Sequence, residues 1–131
     1  MLVFLVDDDP IQNMINSQLV RLYDDKIEYM IYNNGVEVIQ GLEEGLLPDI
    51  ILLDINMPIM SGFEFLNLYQ HYPNAANVFM LSSSDNEEDR KQANNYCCVQ
   101  GYLIKPVSKE VVHDILLSAD NKKSQESSKK Y

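Results

Sequence analysis

Five short runs of apolar residues are spaced along the chain, and each gap between them is long enough to hold a helix. The runs cover residues 2–6, 27–32, 50–53, 78–81 and 102–104. Alternation of strand and helix is typical of a parallel sheet that carries helices on both faces. The runs IILL and VFML are continuous, as expected for strands buried on both faces. The run at 27–32 contains Glu28 and is more polar, which predicts a strand at the edge of the sheet.

Apolar positions between these runs repeat with the period of a helix. In the first gap, Asp9 is placed to cap a helix and Pro10 suits its first position. The apolar face of this predicted helix consists of Ile11, Met14, Ile15, Leu19 and Leu22. Three later segments have similar stripes, formed by Val36, Ile39 and Leu42, by Phe63, Leu66 and Tyr69, and by Val111, Ile115 and Ala119. The segment 87–95 predicts a weaker helix because it has few apolar residues.

Length and composition fit one globular domain. The chain has 131 residues, of which 46% are hydrophobic and 23% charged, and this allows a core without metal or disulfide cross-links. The net charge of −10 makes binding to a nucleic-acid backbone unfavourable. No apolar stretch approaches the roughly 18 residues of a membrane span, and the adjacent Cys97 and Cys98 suit neither a disulfide nor a CxxC site. We therefore expect a cytoplasmic protein with two free thiols.

The end of the chain differs from the rest in composition. Residues 121–131 are polar, low in complexity and without apolar periodicity. Such a segment predicts a disordered tail that follows a domain at residues 1–120.

Charged and polar side chains follow four of the five predicted strands. Asp7, Asp8 and Asp9 follow the first, Asp54 the third, Ser82 the fourth and Lys105 the fifth, whereas the second ends in the turn-like sequence NNG. In open α/β sheets, ligands bind beyond the carboxyl ends of the strands, near the point where the strand order reverses. The strand order 2-1-3-4-5 brings the four functional ends together and leaves the second strand at the border.

In that order, Asp7, Asp8 and Asp54 would share one pocket. Crowded carboxylates either keep protons or bind a cation, and Lys105 supplies only one positive charge for three acids. Oxygen ligands in a small site open to water suit Mg²⁺. Asp9, which directly precedes the proline, is interpreted as a helix cap rather than a ligand.

The chain resembles the receiver domain of two-component response regulators. The resemblance rests on the Asp pair after an apolar strand, on LLDINMPIMSG, on a serine closing VFML and on Lys-Pro closing GYLI. It covers residues 2–119, and its most specific part is the pattern D-x-N-M-P-x-M-x-G at 54–62. It implies a flavodoxin-like, doubly wound, five-stranded parallel sheet, and within the family the chain is most similar to stand-alone, chemotaxis-regulator-like receivers.

The resemblance implies roles for the acidic residues. Asp54 would be the phosphoacceptor. Mg²⁺ would be bound by Asp8, by Asp54 and by the backbone carbonyl of Asn56, and Asp7 would contribute through a bound water. The site would supply electrostatic stabilisation and alignment, because a carboxylate is a weak nucleophile in water.

The resemblance also implies a cation for the phosphoryl group and a switch. Lys105 would pair with one phosphoryl oxygen, directed into the pocket by a cis peptide bond before Pro106, and Ser82 would donate a hydrogen bond to another. Ser82 would move toward the phosphoryl group, and Tyr102 would rotate inward behind it.

The implied function is a phosphorylation-dependent signalling switch. The domain would take a phosphoryl group from a sensor histidine kinase or a histidine phosphotransfer protein and change its surface for a downstream protein. It would catalyse only its own phosphotransfer and dephosphorylation. It would bind neither nucleic acid nor membrane, and would be a monomer or a phosphorylation-dependent dimer.

Two other classes of protein fit the sequence less well. A Mg²⁺-dependent phosphatase of the haloacid dehalogenase type needs a second acid two residues after its Asp nucleophile, where this chain has Asn56. A nucleotide binder would place phosphate against acids instead of backbone amides. A receiver that serves only as an interaction module, or one excised from a hybrid kinase, stays open. The unusual loop 94–98 leaves partner choice undefined, and His71 and His113 are interpreted as surface residues.

Overall fold

The computed structural model describes residues 1–128, with side chains as far as Lys122. Its five strands are β1 (Leu2–Val6), β2 (Glu28–Tyr32), β3 (Ile50–Asp54), β4 (Asn77–Ser82) and β5 (Val99–Ile104). Its five helices are α1 (Pro10–Tyr23), α2 (Gly35–Glu43), α3 (Gly62–Tyr69), α4 (Glu87–Ala93) and α5 (Lys109–Ser128). Strands and helices alternate along the chain, as the apolar pattern predicts.

All five strands are parallel and form one sheet in the order β2-β1-β3-β4-β5. The predicted fold class, a flavodoxin-like doubly wound α/β sheet, is therefore confirmed. Strand β3 lies at the centre, where Val6 of β1 is in register with Leu53 and Leu81 of β4 is in register with Asp54. The polar strand β2 lies at one edge, as its composition predicts. The carboxyl ends of β1, β3, β4 and β5 consequently reach the same edge of the sheet.

The side chains of the sheet divide between two apolar clusters, one on each face. The first joins Phe4, Ile51, Leu53, Val78 and Met80 to side chains of α2, α3 and α4, namely Val38, Phe65, Leu66, Tyr69 and Ala93. The second joins Val3, Leu5, Ile50, Leu52 and Leu81 to side chains of α1 and α5, namely Val20, Val112 and Leu116. Both faces of the central strands are thus covered, which explains why their apolar runs are continuous.

Helix α1 turns its polar side toward the sheet and most of its apolar side toward solvent. The residues that it buries are Gln12, Asn13, Asn16, Ser17 and Val20. Ile11, Met14 and Leu22 are 63%, 52% and 67% exposed, while Ile15 and Leu19 are half-buried. The predicted core-facing stripe of this helix is therefore wrong for its three most exposed members.

The buried polar side chains of α1 are tolerated because they find hydrogen-bond partners. The amide nitrogen of Gln12 donates to Oδ1 of Asn16 at 3.3 Å, and the hydroxyl of Ser17 donates to the carbonyl of Met14 at 2.7 Å. The side chain of Asp9 caps the helix, as predicted. The spacing of apolar residues in the sequence therefore cannot identify the buried face of α1, because that face is polar and is stabilised by hydrogen bonds.

Helix α5 also differs from the prediction. It continues to Ser128, whereas the sequence predicts a disordered tail from residue 121; residues 129–131 lie outside the described part. The segment up to Ser128 contains neither Gly nor Pro, and its Lys, Gln and Glu residues are good helix formers. His113, predicted at the surface, is half-buried, with its ring centroid 5.4 Å from that of Tyr23. His71 is exposed, as predicted.

Two further expectations concern the thiols and the membrane. Cys97 and Cys98 are both free, the first exposed and the second half-buried, and burial raises the pKa of the Cys98 thiol. Among the described residues, none of the helices combines the length and the apolar character needed to cross a bilayer.

Candidate functional site

The acidic residues predicted to share a pocket do so. Asp7 and Asp8 follow β1 and Asp54 ends β3, and one carboxylate oxygen from each lies within 4.8 Å of the others. Asp7 and Asp54 are buried, whereas Asp8 is exposed. The cluster therefore has two acids at its base and one at its mouth, where solvent enters.

Asp7 is held by contacts on each of its polar groups. Its backbone N–H donates to the carbonyl of Tyr32 at 3.1 Å. Its Oδ1 accepts from the N–H of Asp9 at 2.9 Å, and its Oδ2 lies 2.8 Å from Nζ of Lys105. Its carbonyl accepts from Nδ2 of Asn13 at 2.8 Å. These contacts fix Asp7 in one orientation and leave little freedom in the chain that leads to Asp8.

Lys105 provides the positive charge of the site. Its Nζ lies 2.8 Å from Asp7 and 3.2 Å from Asp54, and its backbone N–H donates to the carbonyl of Ser82 at 2.8 Å. The peptide bond to Pro106 is cis, as predicted. Burial acts to lower the pKa of Lys105, but the hydrogen bond to Asp7 and the charge of Asp54 outweigh it and raise that pKa overall.

The negative charge around Asp54 is not fully compensated by Lys105, so the site can accept a second cation. Burial, followed by the charge of Asp7, raises the pKa of Asp54 from 3.8 to about 7, although Lys105 acts in the opposite direction. One lysine therefore does not compensate the crowded carboxylates. Carboxylate oxygens in a pocket that is open to solvent suit Mg²⁺. This ion keeps several water ligands and takes few ligands from the protein.

Asn56 lies in the loop after β3 and is exposed. It follows Asp54 by two residues along the chain. The role of its backbone carbonyl as a metal ligand stays a prediction.

Ser82 and Tyr102 share one hydrogen-bond acceptor. The Ser82 hydroxyl, which is buried at the end of β4, donates to the carbonyl of Ser84 at 2.8 Å. The Tyr102 hydroxyl donates to the same carbonyl at 3.2 Å. The guanidinium carbon of Arg90 lies 4.6 Å from the Tyr102 ring centroid, a cation–π geometry, and Arg90 also pairs with Asp85. The two predicted switch residues are thus connected through the β4–α4 loop.

The β3–α3 loop approaches the end of β3 closely. The N–H of Gly62 donates to the carbonyl of Ile55 at 2.9 Å, and a Cβ at Gly62 would lie 2.5 Å from the backbone oxygen of Asp54. Ser61 and Glu64 form a capping box at the start of α3. The glycine is therefore required by the close approach of two backbone segments, next to the predicted phosphoacceptor.

Ile59 is a strained residue at the tip of this loop, and replacing it by Asn is expected to stabilise the protein. Its φ is +68° and its side chain is 79% exposed. The N–H of Met60 donates to the carbonyl of Pro58 at 2.7 Å across it, a tight turn that is strained for β-branched residues. Because Asn tolerates this conformation, Ile59→Asn should add about 1 kcal/mol to the free energy of unfolding measured in urea.

The control for this prediction is an isoleucine of similar exposure in ordinary backbone. Ile11 is 63% exposed within α1, so Ile11→Asn relieves no strain and should give no gain. Equal stabilisation by both substitutions would contradict the argument from strain.

Three features near the site have no clear signal in the sequence. Asn13 reaches the Asp7 carbonyl from α1, and Arg90 reaches the Tyr102 ring from α4. In the unusual loop 94–98, the Tyr96 hydroxyl donates to Asn67, and the Tyr96 ring stacks on Phe63 with centroids 6.4 Å apart. Each contact joins residues from separate parts of the chain and depends on the folded arrangement.

Comparison with known proteins gives one consistent family. Residues 3–117 match the family model described as response regulator receiver domain. The chain is 34% identical over 108 residues to the nitrate/nitrite response regulator protein NarL of Escherichia coli (strain K12), an alignment that covers 82% of this chain and 49% of that protein. It is 32% identical over 117 residues to chemotaxis protein CheY of Halobacterium salinarum, covering 87% of this chain and 92% of that protein.

The chain thus spans about half the length of NarL and nearly the full length of the CheY protein. Among solved structures, a two-component response regulator from Cytophaga hutchinsonii superimposes with a TM-score of 0.81 at 32% identity. That alignment covers 92% of this chain and 96% of the other.

Proposed function

Because this chain belongs to the response regulator receiver family of two-component signalling, we propose that it is a phosphorylation-dependent switch with Asp54 as its phosphoacceptor. The observation that carries the proposal is the convergence of Asp7, Asp8, Asp54 and Lys105 at one edge of the sheet. The phosphoryl donor would be a phosphohistidine on a sensor kinase or a histidine phosphotransfer protein.

Mg²⁺ is the cofactor that suits the acidic cluster. Asp8 and Asp54 would hold it directly, with the carbonyl of Asn56, and Asp7 would hold it through water. When bound, the ion neutralises negative charge on the carboxylates and on the phosphoryl oxygens. Lys105 offsets only part of the acidic charge. A second cation would therefore be needed both to neutralise the carboxylates and to stabilise the phosphoryl group during transfer.

In the transfer step, a carboxylate oxygen of Asp54 forms a bond to phosphorus while the bond from phosphorus to the donor imidazole nitrogen breaks. That nitrogen keeps the electron pair. Lys105 is placed to pair with a phosphoryl oxygen and Ser82 to donate a hydrogen bond to another, so both stabilise charge without covalent chemistry. Hydrolysis of the resulting acyl phosphate by water returns Asp54. The protein would act on no other substrate, so we do not class it as an enzyme.

The switch would operate through the shared carbonyl of Ser84. When the Ser82 hydroxyl turns toward the phosphoryl group, it gives up its bond to that carbonyl. The β4–α4 loop then loses one of its anchors, and Tyr102, which donates to the same oxygen, is released to rotate inward. A surface made by α4 and β5 would change in consequence and be read by a downstream protein.

Location and assembly follow as parts of the same proposal. A receiver that exchanges phosphoryl groups with kinase domains would work in the cytoplasm, without direct contact to nucleic acid or membrane. The net charge of −10 favours protein partners with basic surfaces. Phosphorylation could leave the protein monomeric or drive dimerisation, two outcomes that sedimentation of the phosphorylated form separates.

The test of the proposed function is labelling by a small phosphodonor. Acetyl phosphate with Mg²⁺ is expected to add one phosphoryl group per chain, detected by intact-mass spectrometry. With EDTA in place of Mg²⁺ the mass should not change, because the carboxylates then lack their second cation. Mg²⁺ without acetyl phosphate is the matched control. A folded protein that stays unlabelled with both reagents would contradict the proposal.

A further inference from the structure

Asn13 is a buried polar residue whose position on α1 is not explained by helix stability. Its side chain lies on the inner face and the residue is 1% exposed. Asn is a poor helix former relative to Leu or Ala, and burying an amide is unfavourable unless its polar atoms are paired. The reason for an asparagine at this position must therefore come from its contacts.

One half of the Asn13 amide holds the turn that carries the acidic residues. Nδ2 donates to the carbonyl of Asp7 at 2.8 Å, and this oxygen belongs to the peptide group that joins Asp7 to Asp8. The backbone N–H of Asn13 donates to the carbonyl of Asp9 at 3.1 Å. Asn13 thus donates hydrogen bonds to the carbonyls of Asp7 and Asp9, the residues on either side of Asp8.

The other half of the amide has no hydrogen bond. Oδ1 of Asn13 is buried and without a partner in the part of the chain that the structure describes. An unpaired buried acceptor lowers stability, so the oxygen of this amide is unfavourable for folding. The amide is therefore better explained by what its nitrogen holds than by a contribution to folding.

We propose that Asn13 is a positioning residue for the metal site, which fixes the Asp7–Asp8 peptide so that both carboxylates point toward the same cation. This inference rests on the proposed function, because it assumes that the acidic cluster binds Mg²⁺. Without the Asn13 donor, the Asp7–Asp8 peptide loses the hydrogen bond on its carbonyl, and Asp8 at the mouth of the pocket is the ligand with the fewest other restraints. Groups that orient metal ligands typically change metal affinity by 10–100-fold when removed.

The test compares Asn13→Leu with Asn16→Leu. Asn16 is 1% exposed on the same face of α1, but its side chain bonds to Gln12 and not to the acidic turn. In Mg²⁺ titrations followed by calorimetry, Asn13→Leu should raise the dissociation constant at least tenfold, while Asn16→Leu should leave it unchanged. Thermal melts in EDTA should show that both leucine variants remain folded, so that a change in Mg²⁺ affinity is not a loss of structure.

A second variant guards against a misfit of the leucine. Asn13→Ala removes the same donor and leaves a cavity, so it should lower the melting temperature and still weaken Mg²⁺ binding as much as Asn13→Leu. Mg²⁺ affinity that is unchanged in both Asn13 variants, or lowered equally in Asn16→Leu, would overturn the inference. An unmodified protein that binds no Mg²⁺ would instead overturn the proposed function, so the two failures are distinguishable.

Discussion

Asp54→Asn is expected to abolish labelling by acetyl phosphate and to stabilise the metal-free protein at pH 8. Asn cannot form the acyl phosphate, so the intact mass should stay unchanged with Mg²⁺ and donor present. The gain in stability follows from burial and from the charge of Asp7, which raise the pKa of Asp54 to about 7. A shift from 3.8 to about 7 corresponds to at most about 4 kcal/mol, and we expect a gain of about 2–4 kcal/mol.

The gain should depend on pH in a defined direction. Because the folded pKa lies above the unfolded one, the folded state holds the Asp54 proton between about pH 4 and pH 7, while the unfolded state has released it. The stability contributed by Asp54 is therefore complete below pH 4, falls as pH rises to about 7, and is lost above that value. Asp54→Asn should match the starting protein near pH 4 and exceed it increasingly up to pH 8.

Urea unfolding in EDTA, measured across this pH range, checks the prediction. Saturating Mg²⁺ should stabilise the starting protein more than the variant, because a ligand that binds only the folded state adds to its stability. The gap seen in EDTA should therefore narrow. Labelling that survives in Asp54→Asn would refute the site assignment, and a stability gap independent of pH would refute the electrostatic explanation.

Gly62→Ala is the second change with a large expected effect. Its Cβ would lie 2.5 Å from the Asp54 backbone oxygen and 3.1 Å from Cα of Ile55, and backbone atoms cannot move aside as a side chain can. Overpacking of this kind costs about 2–3 kcal/mol, and relief requires α3 or the end of β3 to shift. We expect lower stability in urea and slower labelling by acetyl phosphate, because the shift displaces Asp54, the proposed phosphoacceptor.

Gly35→Ala is the matched control for this prediction. Its Cβ would also meet atoms at 2.8 Å, but these are Cγ and Sδ of Met60, in a flexible side chain. The cost should be below about 1 kcal/mol, with labelling unaffected. Similar losses for Gly35→Ala and Gly62→Ala would show that contact distance alone, and not the rigidity of the neighbour, determines the penalty.

The chemistry at the strand ends predicted the sheet better than the apolar pattern predicted the helices. Four strands end in functional groups and the second does not, and the order β2-β1-β3-β4-β5 that fits this pattern is the one that the structure has. The reason is physical: a site that needs Asp7, Asp54 and Lys105 within a few ångströms constrains which strands are neighbours. The chemistry of the strand ends thus carried information about pairs of residues distant in sequence.

The inner face of α1 shows where this reasoning fails. Ile11 and Met14 follow the apolar period yet face solvent, while Asn13 and Asn16 are buried. A polar side chain is buried only if a partner is present, and the partner of Asn13 is a backbone carbonyl that folding brings to it. The contact of Arg90 with Tyr102 is equally invisible in sequence, since it joins a helix and a strand by the stacking of two side chains.

The ion pair at the base of the pocket has a consequence for synthesis of the protein. Asp7 follows the first strand and Lys105 follows the fifth, yet their charged groups lie 2.8 Å apart. Chains emerge from the ribosome amino terminus first. Asp7, Asp8 and Asp54 are therefore synthesised well before Lys105. Under the proposed function, phosphoryl acceptance would begin only once β5 has emerged and paired with β4. A chain whose synthesis has not reached Lys105 would therefore not accept the signal, and phosphoryl donors would act only on chains that contain the complete site.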